Sequence, residues 1–343
     1  MRALYLWAFL FSAVLAFAGP CDGIEEQLKA LSISLGHLDA EAAARTYTAV
    51  AASHAECPAI LLAQARLAAL NGNAAEADGL FSNYLAAQPD DPAGLAYYAR
   101  FLITQRQYPR ADALANTAFA KDPSSAIVLA VSGRLSDLKG QTQEGLNRLN
   151  QSVRVDLEDA EAQFQLGAIY DRLKRPVEAV PHFQRVVEMN PRDARAWDYL
   201  ALNLEPLGEI ERAEAAYKKG MEVDQRGPFY DAFLDYNYGR FLTKRGDFAS
   251  AKMHLDRAVE LVPNVRAVWY ERAKLNLRAK NYAEARADAE KAANLADPAG
   301  IIIDLQIYTL LEQIYRRLGE TQLADKYAEL SRTTPPPMRK ENR

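Results

Sequence analysis

The strongest constraint on this chain is a period. The stretch NGNAAEADGLFSNYLAAQPDDP, residues 71–92, sets Gly72, Ala77, Phe81 and Pro89 at intervals of five, four and eight. A shift of 34 residues carries Ala77 onto Ala111 and Pro89 onto Pro123, and further shifts land on Gly145, Ala179 and Ala213. Frames starting at Pro58, Pro92, Ala126, Ala160 and Ala194 follow one another without a gap, as 58–91, 92–125, 126–159, 160–193 and 194–227. A fixed period of this length means stacked supersecondary units, each contacting its neighbours, in place of a single globular core.

The residue types inside one frame say what the unit is. In AEAQFQLGAIYDRLKRPVEAVPHFQRVVEMNPRD, residues 160–193, large apolar residues recur at three- and four-residue steps in two runs, so each frame reads as two amphipathic helices. Small Gly167 and Ala179 let those helices approach, Phe183 fills the space between them, and Pro191 closes the second. The content of Ala, Leu, Glu, Arg and Lys favours helix over strand throughout. One helix pair buries too little apolar surface alone, and stacked neighbours bury the rest.

Further frames begin at Ala232 after a four-residue insertion (232–265), at Arg266 (266–299), and approximately at Leu305, while residues 24–57 form a degenerate first copy. The pattern resembles the tetratricopeptide family, whose repeat carries Trp, Leu, Gly and Tyr in its first helix, then Ala, an aromatic and Pro in and after the second. The fullest matches are Leu166-Gly167, Tyr170, Ala179, Phe183 and Pro191, and Trp197, Leu200-Ala201, Gly208, Ala213 and Tyr217. The resemblance implies an all-α, right-handed superhelical solenoid of antiparallel helix pairs with about eight to nine repeats. Residues 19–57 then make an N-terminal capping repeat, and 301–331 the terminal capping helices of the segment 228–331.

Some copies depart from the pattern. Gly145 stands where Ala is usual and Leu157 where Pro is usual, changes that loosen a helix contact and a helix end, so 126–159 is expected to be a softer repeat. Gln225 replaces a closing Pro within DQRGPFYD, residues 224–231, a candidate hinge or phase break. Glu312 sits where a small residue is usual, and 332–343, SRTTPPPMRKENR from Arg332 onward, reads as a disordered tail.

The first residues, MRALYLWAFLFSAVLAFAGPC, read as a signal peptide over 1–18. Arg2 gives a positive start, Ala3–Leu15 an apolar run, and Ala16-Phe17-Ala18 a small-x-small cleavage site. This places the mature chain outside the cytoplasm, periplasmic or secreted. Membrane tethering would require the segment to stay uncleaved, and its apolar run is shorter than the roughly 20 residues of a spanning helix. Pro20 before Cys21 argues against lipoprotein processing. Cys21 and Cys57 are the two cysteines, and an even pair in an exported chain reads as a disulfide stapling the first copy. A formal net charge of -4 leaves no bulk positive field for nucleic acid.

No enzyme motif is present. His37, His54, His182 and His254 are scattered without metal-ligand spacing, and no glycine-rich phosphate loop or nucleophile elbow occurs. No catalytic residue, metal or cofactor is assigned. His182 and His254 read as ordinary helix residues.

In the family, the resemblance implies, ligands lie in a concave groove lined by first helices at repeat positions 2, 5, 9 and 12. Position 9 gives Arg66, Arg100 and Arg134, then Ala168 and Leu202, then Arg240 and Lys274. Such cations are a candidate binding ladder, or simply a solvated complement to each helix dipole. The run PFYDAFLDYNYGRFL adds Phe229, Tyr230, Phe233, Tyr236, Tyr238 and Phe241, of which Phe229, Phe233, Tyr236 and Arg240 share one helix face. Tyr270 and Lys274 repeat Tyr236 and Arg240 one copy later. This patch is a candidate anchor pocket, with core packing as the other reading and the certain one for Tyr238 and Phe241. Acidic Asp171, Asp198 and Glu205 interrupt the ladder. The family's carboxylate clamp pairs Lys or Arg with Asn, and no Asn stands at position 9, so that activity is not implied.

The reading is therefore an exported, non-catalytic scaffold that binds a protein or peptide bearing acidic and large apolar residues. The alternatives are an accessory subunit of an envelope assembly or secretion complex, and an enzyme whose site is invisible in sequence.

Overall fold

The computed structural model describes residues 19–223, 231, 233–297 and 300–334. Among these, every regular element is helical, and the helices come in pairs. First helices are α1 (Glu25–Gly36), α3 (Pro58–Leu70), α5 (Pro92–Thr104), α7 (Ala126–Leu138), α9 (Ala160–Arg172), α11 (Ala194–Leu204), α13 (Leu234–Arg245), α15 (Arg266–Arg278) and α17 (Asp304–Leu318). Second helices are α2 (Ala40–Ala51), α4 (Ala74–Ala87), α6 (Tyr108–Lys121), α8 (Thr142–Val155), α10 (Pro176–Met189), α12 (Ile210–Val223), α14 (Phe248–Leu261), α16 (Tyr282–Ala293) and α18 (Thr321–Thr333). The starts of α3, α5, α7, α9, α11 and α15 coincide with the frame starts read from the sequence. The fold is an all-α solenoid of antiparallel helix pairs.

A backbone device recurs with the period. Between the helices of successive pairs, Leu38, Gly72, Arg106, Gly140, Lys174 and Gly208 all adopt positive φ, between 58° and 81°, and Gly246 and Lys280 do so later. Each ends a first helix in the left-handed conformation and turns the chain back. Glycine accepts that conformation freely, whereas Leu38, Arg106, Lys174 and Lys280 hold it against a Cβ clash.

The chain comprises two compact units, Met1–Ala162 and Gln163–Arg343. In the first, Leu31, Leu35, Val50 and Ile60 form an N-terminal cluster with Cys57. A second cluster is built on Phe81, Tyr98, Phe101 and Leu102. In the second unit, Ala285, Ile307, Leu311, Ile314 and Tyr315 form the terminal core.

Gly167 behaves as its residue type predicts: a Cβ there would lie 3.0 Å from the Phe183 ring, which is itself fully buried. Closing prolines also receive the next repeat, since the Trp197 indole donates to the Pro191 carbonyl at 2.9 Å and that of Trp269 to Pro263 at 2.8 Å.

Gly145 departs from expectation. It does not loosen the contact of α8 with α7, because an added Cβ would come within 2.9 Å of the Gly133 carbonyl and 3.0 Å of Asp137 Cβ. The absent side chain permits backbone approach, which makes this pair closely packed. Leu157 is exposed, as a residue replacing a helix-ending Pro can be. Helix α18 continues past residue 331 to Thr333, its end closed by the Thr334 hydroxyl donating to the Leu330 carbonyl at 2.7 Å. The expected signal segment, the hinge around Gln225 and the tail from 335 lie outside the described residues.

At the N-terminus the Cys21 and Cys57 sulfurs are joined, with their Cα atoms 5.0 Å apart. Cys57 is fully buried at the start of α3, so the bond ties the entry of α1 to the exit of its pair.

Candidate partner-binding faces

In the first unit α1, α3, α5 and α7 pack side by side, and the second helices cover their other side. Position 9 therefore places Arg66, Arg100 and Arg134 on successive helices of one layer. Their environments differ. The Arg66 guanidinium lies 3.9 Å from the centre of the Tyr97 ring, and that of Arg100 lies 5.7 Å from the same ring. Burial pushes the Arg66 pKa down, against the pull of Tyr97 and Asp159.

Arg100 meets Asp159 through both terminal nitrogens, Nη1 donating to Oδ1 at 3.1 Å and Nη2 to Oδ2. Burial alone would lower the Arg100 pKa, but the Asp159 carboxylate outweighs it and raises it. Burial likewise would raise Asp159, and Arg100 holds it below the usual carboxylate range instead. Asp159 also caps α9, accepting from the Ala162 amide at 3.1 Å. Beside it, His37 Nε2 donates to Glu158 Oε2 at 2.5 Å. Arg66 and Arg134 form no ion pair among the described residues.

In the second unit α11, α13, α15 and α17 form the corresponding layer. Phe233, just before α13, is 41% exposed and meets Tyr236 edge-on at 6.5 Å between ring centres. Tyr236 and Tyr270 are half-buried against the cluster containing Ile307 and Leu310. Burial, then the Glu271 carboxylate, raises both phenol pKa values. Tyr238 and Phe241 are core residues, packed on Tyr217 at 5.2 Å and 5.4 Å. Phe229 and Tyr230 lie outside the described residues.

The two cations of this patch already have carboxylates. Glu205 accepts from Arg240 Nη2 at 2.8 Å, Lys244 Nζ at 2.8 Å and the Tyr217 hydroxyl at 2.7 Å. Lys274 Nζ sits 2.8 Å and 2.9 Å from the Glu271 oxygens and 5.3 Å from the Tyr270 ring centre. The acidic residues that interrupt the ladder in sequence are also used internally. Asp171 accepts from Asn203 at 3.2 Å, and buried Asp198 accepts from Asn237 at 2.7 Å.

His182 stacks on Tyr170 at 5.8 Å and bonds Gln163 at 2.8 Å; His254 donates to Asp235 at 2.7 Å. Both are accounted for by packing.

Three participants escape a reading by repeat position. Tyr97 stands at position 6, outside the inward set. Glu271 is one turn from Lys274 on its own helix and reads as a surface residue. Asp159 has the position and residue type of a helix cap, shared with Asp91 and Asp193, and nothing in sequence points it at Arg100.

These helix pairs, in this register, define a repeat-scaffold class. The tetratricopeptide repeat profile matches residues 35–92, 139–194, 177–221 and 239–300, more than half of the chain, and the protein belongs to that family. It is 21% identical over 201 residues to Anaphase-promoting complex subunit 3 of Schizosaccharomyces pombe, covering 58% of this chain and 30% of that one. It is 23% identical over 199 residues to Protein O-mannosyl-transferase TMTC1 of Homo sapiens, covering 57% and 22%. Among solved structures, the APC/C hetero-tetramer Cut9–Hcn1 superposes with a TM-score of 0.61 at 15% identity, over 85% of this chain and 56% of that one. The chain thus spans less than a third of the length of either sequence relative, and the solved structure shares the fold.

Proposed function

We propose that this tetratricopeptide protein is an exported, non-catalytic scaffold that binds a protein segment carrying acidic groups and a large apolar side chain. The observation that carries the reading is Phe233. It is a large exposed aromatic on the first-helix layer, edge-on to half-buried Tyr236 and in the same layer as Tyr270, with Arg240 and Lys274 one helical turn further on. Aromatic and cationic residues in such a setting suit an apolar anchor beside a carboxylate. Burying one leucine or aromatic anchor there is worth about 1.5–3 kcal/mol. Because Arg240 and Lys274 keep internal carboxylates, the apolar anchor carries the affinity, and the excess positive charge of Arg240 and Lys244 over the single Glu205 carboxylate steers an acidic ligand.

Export is supported by the apolar segment 1–18 and by the Cys21–Cys57 pair, which an oxidising compartment would keep bonded. Among the described residues no helix is long and apolar enough to cross a membrane. The membership in a scaffold-forming repeat family supports the non-catalytic part.

The test is site-specific photocrosslinking in cells, with a benzophenone residue at position 233 or 270 and a control at Met253, which is exposed on second helix α14. A discrete adduct from 233 and 270 and none from 253 is the expected result. Equal adducts from all three would move the docking surface off the first-helix layer. N-terminal sequencing that begins at Gly19 would check the export reading, and an intact Met1 would replace it with an anchored one.

A further inference from the structure

The first unit carries an acidic turn, Asp156-Leu157-Glu158-Asp159, seated against the basic face of helices that lie far from it in sequence. Asp159 takes the Arg100 guanidinium from 59 residues away, and Glu158 takes His37 from 121 residues away. The backbone joins in. Gly36, the last residue of α1, faces the Glu158 carbonyl so closely that a Cβ would stand 2.7 Å from its oxygen.

Capping does not require this arrangement. Asp91 and Asp193 hold the same repeat position as Asp159 and cap their helices too. Their other partners are local, Tyr84 at 2.8 Å for Asp91 and Arg195 at 2.8 Å for Asp193. Among the described residues, Asp159 is the one of these three caps whose carboxylate also takes a first-helix cation from far along the chain, Arg100.

Nor does the turn neutralise the face. Arg66, held on Tyr97 and without an ion pair among the described residues, lies on one neighbouring helix, and Arg134, likewise without one, on the other. The turn bonds the middle cation of a row of three directly, while Asp156 and Asp159 act on Arg66 only through space, so a longer acidic chain has a further cation to meet.

We propose that residues 156–159 are an internal occupant of a carboxylate-binding site formed by His37, Arg66 and Arg100. The site's partner is an extended acidic segment of another protein, which displaces the turn. The inference rests on the reading of first-helix layers as docking surfaces. The internal occupant defines the ligand chemistry: carboxylates on adjacent residues, one in two-pronged contact with a guanidinium. It also lowers the apparent affinity of any external ligand by the fraction of molecules in which the turn is docked.

The experiment uses the full chain and a fluorescein-labelled peptide copying residues 155–162, VDLEDAEA, read by fluorescence anisotropy at low salt. Two variants undock the turn by different physics. E158Q/D159N removes its charge, and Gly36→Ala drives its backbone away while leaving every charge in place. Each is expected to bind the peptide at least tenfold tighter than the unaltered chain, and adding Arg66→Gln to either is expected to reverse the gain. If E158Q/D159N fails to fold, Gly36→Ala decides alone.

A measurement on the unaltered chain is independent of any substitution. Hydrogen exchange at the amides of 158–162 is expected to quicken about tenfold when the peptide is added at saturation, as the turn leaves its site. Equal or absent peptide binding across the variants, or exchange indifferent to the peptide, overturns the proposal. The photocrosslinking test concerns the second unit only. Loss of the peptide result with crosslinks intact therefore rejects this site, and loss of both rejects the docking reading.

Discussion

Gly133 and Gly145 face each other across α7 and α8, the carbonyl of each lying where the other's Cβ would be, at 3.1 Å and 2.9 Å. This reverses the sign normally given to a helical glycine. Alanine in a helix is ordinarily better than glycine by about 0.8–1 kcal/mol. Gly145→Ala should instead destabilise by about 1–3 kcal/mol, because backbone must move to admit the methyl group. Gly79, exposed on α4 with nothing within 4 Å of its absent Cβ, is the matched control and should gain from the same change. Urea midpoints by circular dichroism would show opposite shifts; shifts of the same sign would mean that α7 and α8 can part without penalty.

The left-handed turn residues offer a gain. Arg106, Lys174 and Lys280 are exposed and sit at φ of 58°, 58° and 65°. A left-handed L-residue costs roughly 1–2 kcal/mol, partly offset by the greater unfolded-state freedom of glycine. Each change to Gly should therefore raise stability by up to about 1 kcal/mol, and the reverse change, Gly140→Ala, should lower it. Thermal midpoints of the four single variants test this; a fall in all three glycine variants would refute it.

Joining Cys21 to Cys57 closes a loop of sequence separation 36. On the chain-entropy account that is worth about 3–4 kcal/mol, confined to the N-terminal pair. Reduction should speed amide exchange in α1 and α2 and leave α15 to α18 unchanged. A count of two titratable thiols in the denatured, unreduced protein would dispose of the bridge.

Two buried aspartates should respond to pH in opposite directions. Burial, reinforced by Asp231, raises the Asp198 carboxyl well above its ordinary range. Its contribution to stability is complete below the unfolded value near 3.9 and is lost as pH climbs through the folded one. Asp198→Asn keeps an acceptor for Asn237, so it should raise the unfolding midpoint at pH 7–8 and change little at pH 4. Asp159 is held low by Arg100 against burial, so its contribution is present above the ordinary range and fades as pH falls through the depressed value. Asp159→Asn should lower the midpoint at pH 7 and converge with the unaltered chain in acid. Unfolding curves across this range distinguish the two, and parallel pH profiles would contradict both assignments.

The repeat is legible in the residues alone. The spacing of Gly167, Ala179, Phe183 and Pro191 is a local property, since each pair of helices packs by contacts within about one period, and local contacts leave a periodic trace. Helix starts at Pro58, Pro92, Ala126, Ala160 and Ala194 were legible for that reason. So was the meeting of Cys21 and Cys57, because antiparallel helices of similar length return the chain to its starting end.

Which cations are already paired depends on contacts between elements far apart in the chain. The position-9 cations form one uniform series in sequence, yet Arg100 is bound by Asp159, Arg240 by Glu205 and Lys274 by Glu271, while Arg66 rests on Tyr97. Asp159 reads as a helix cap because capping is decided within three residues, whereas its second partner lies 59 residues away. Gly145 reads as a defect for a related reason: whether a missing methyl group loosens a contact or permits one depends on the distance to the facing backbone, which no residue type encodes.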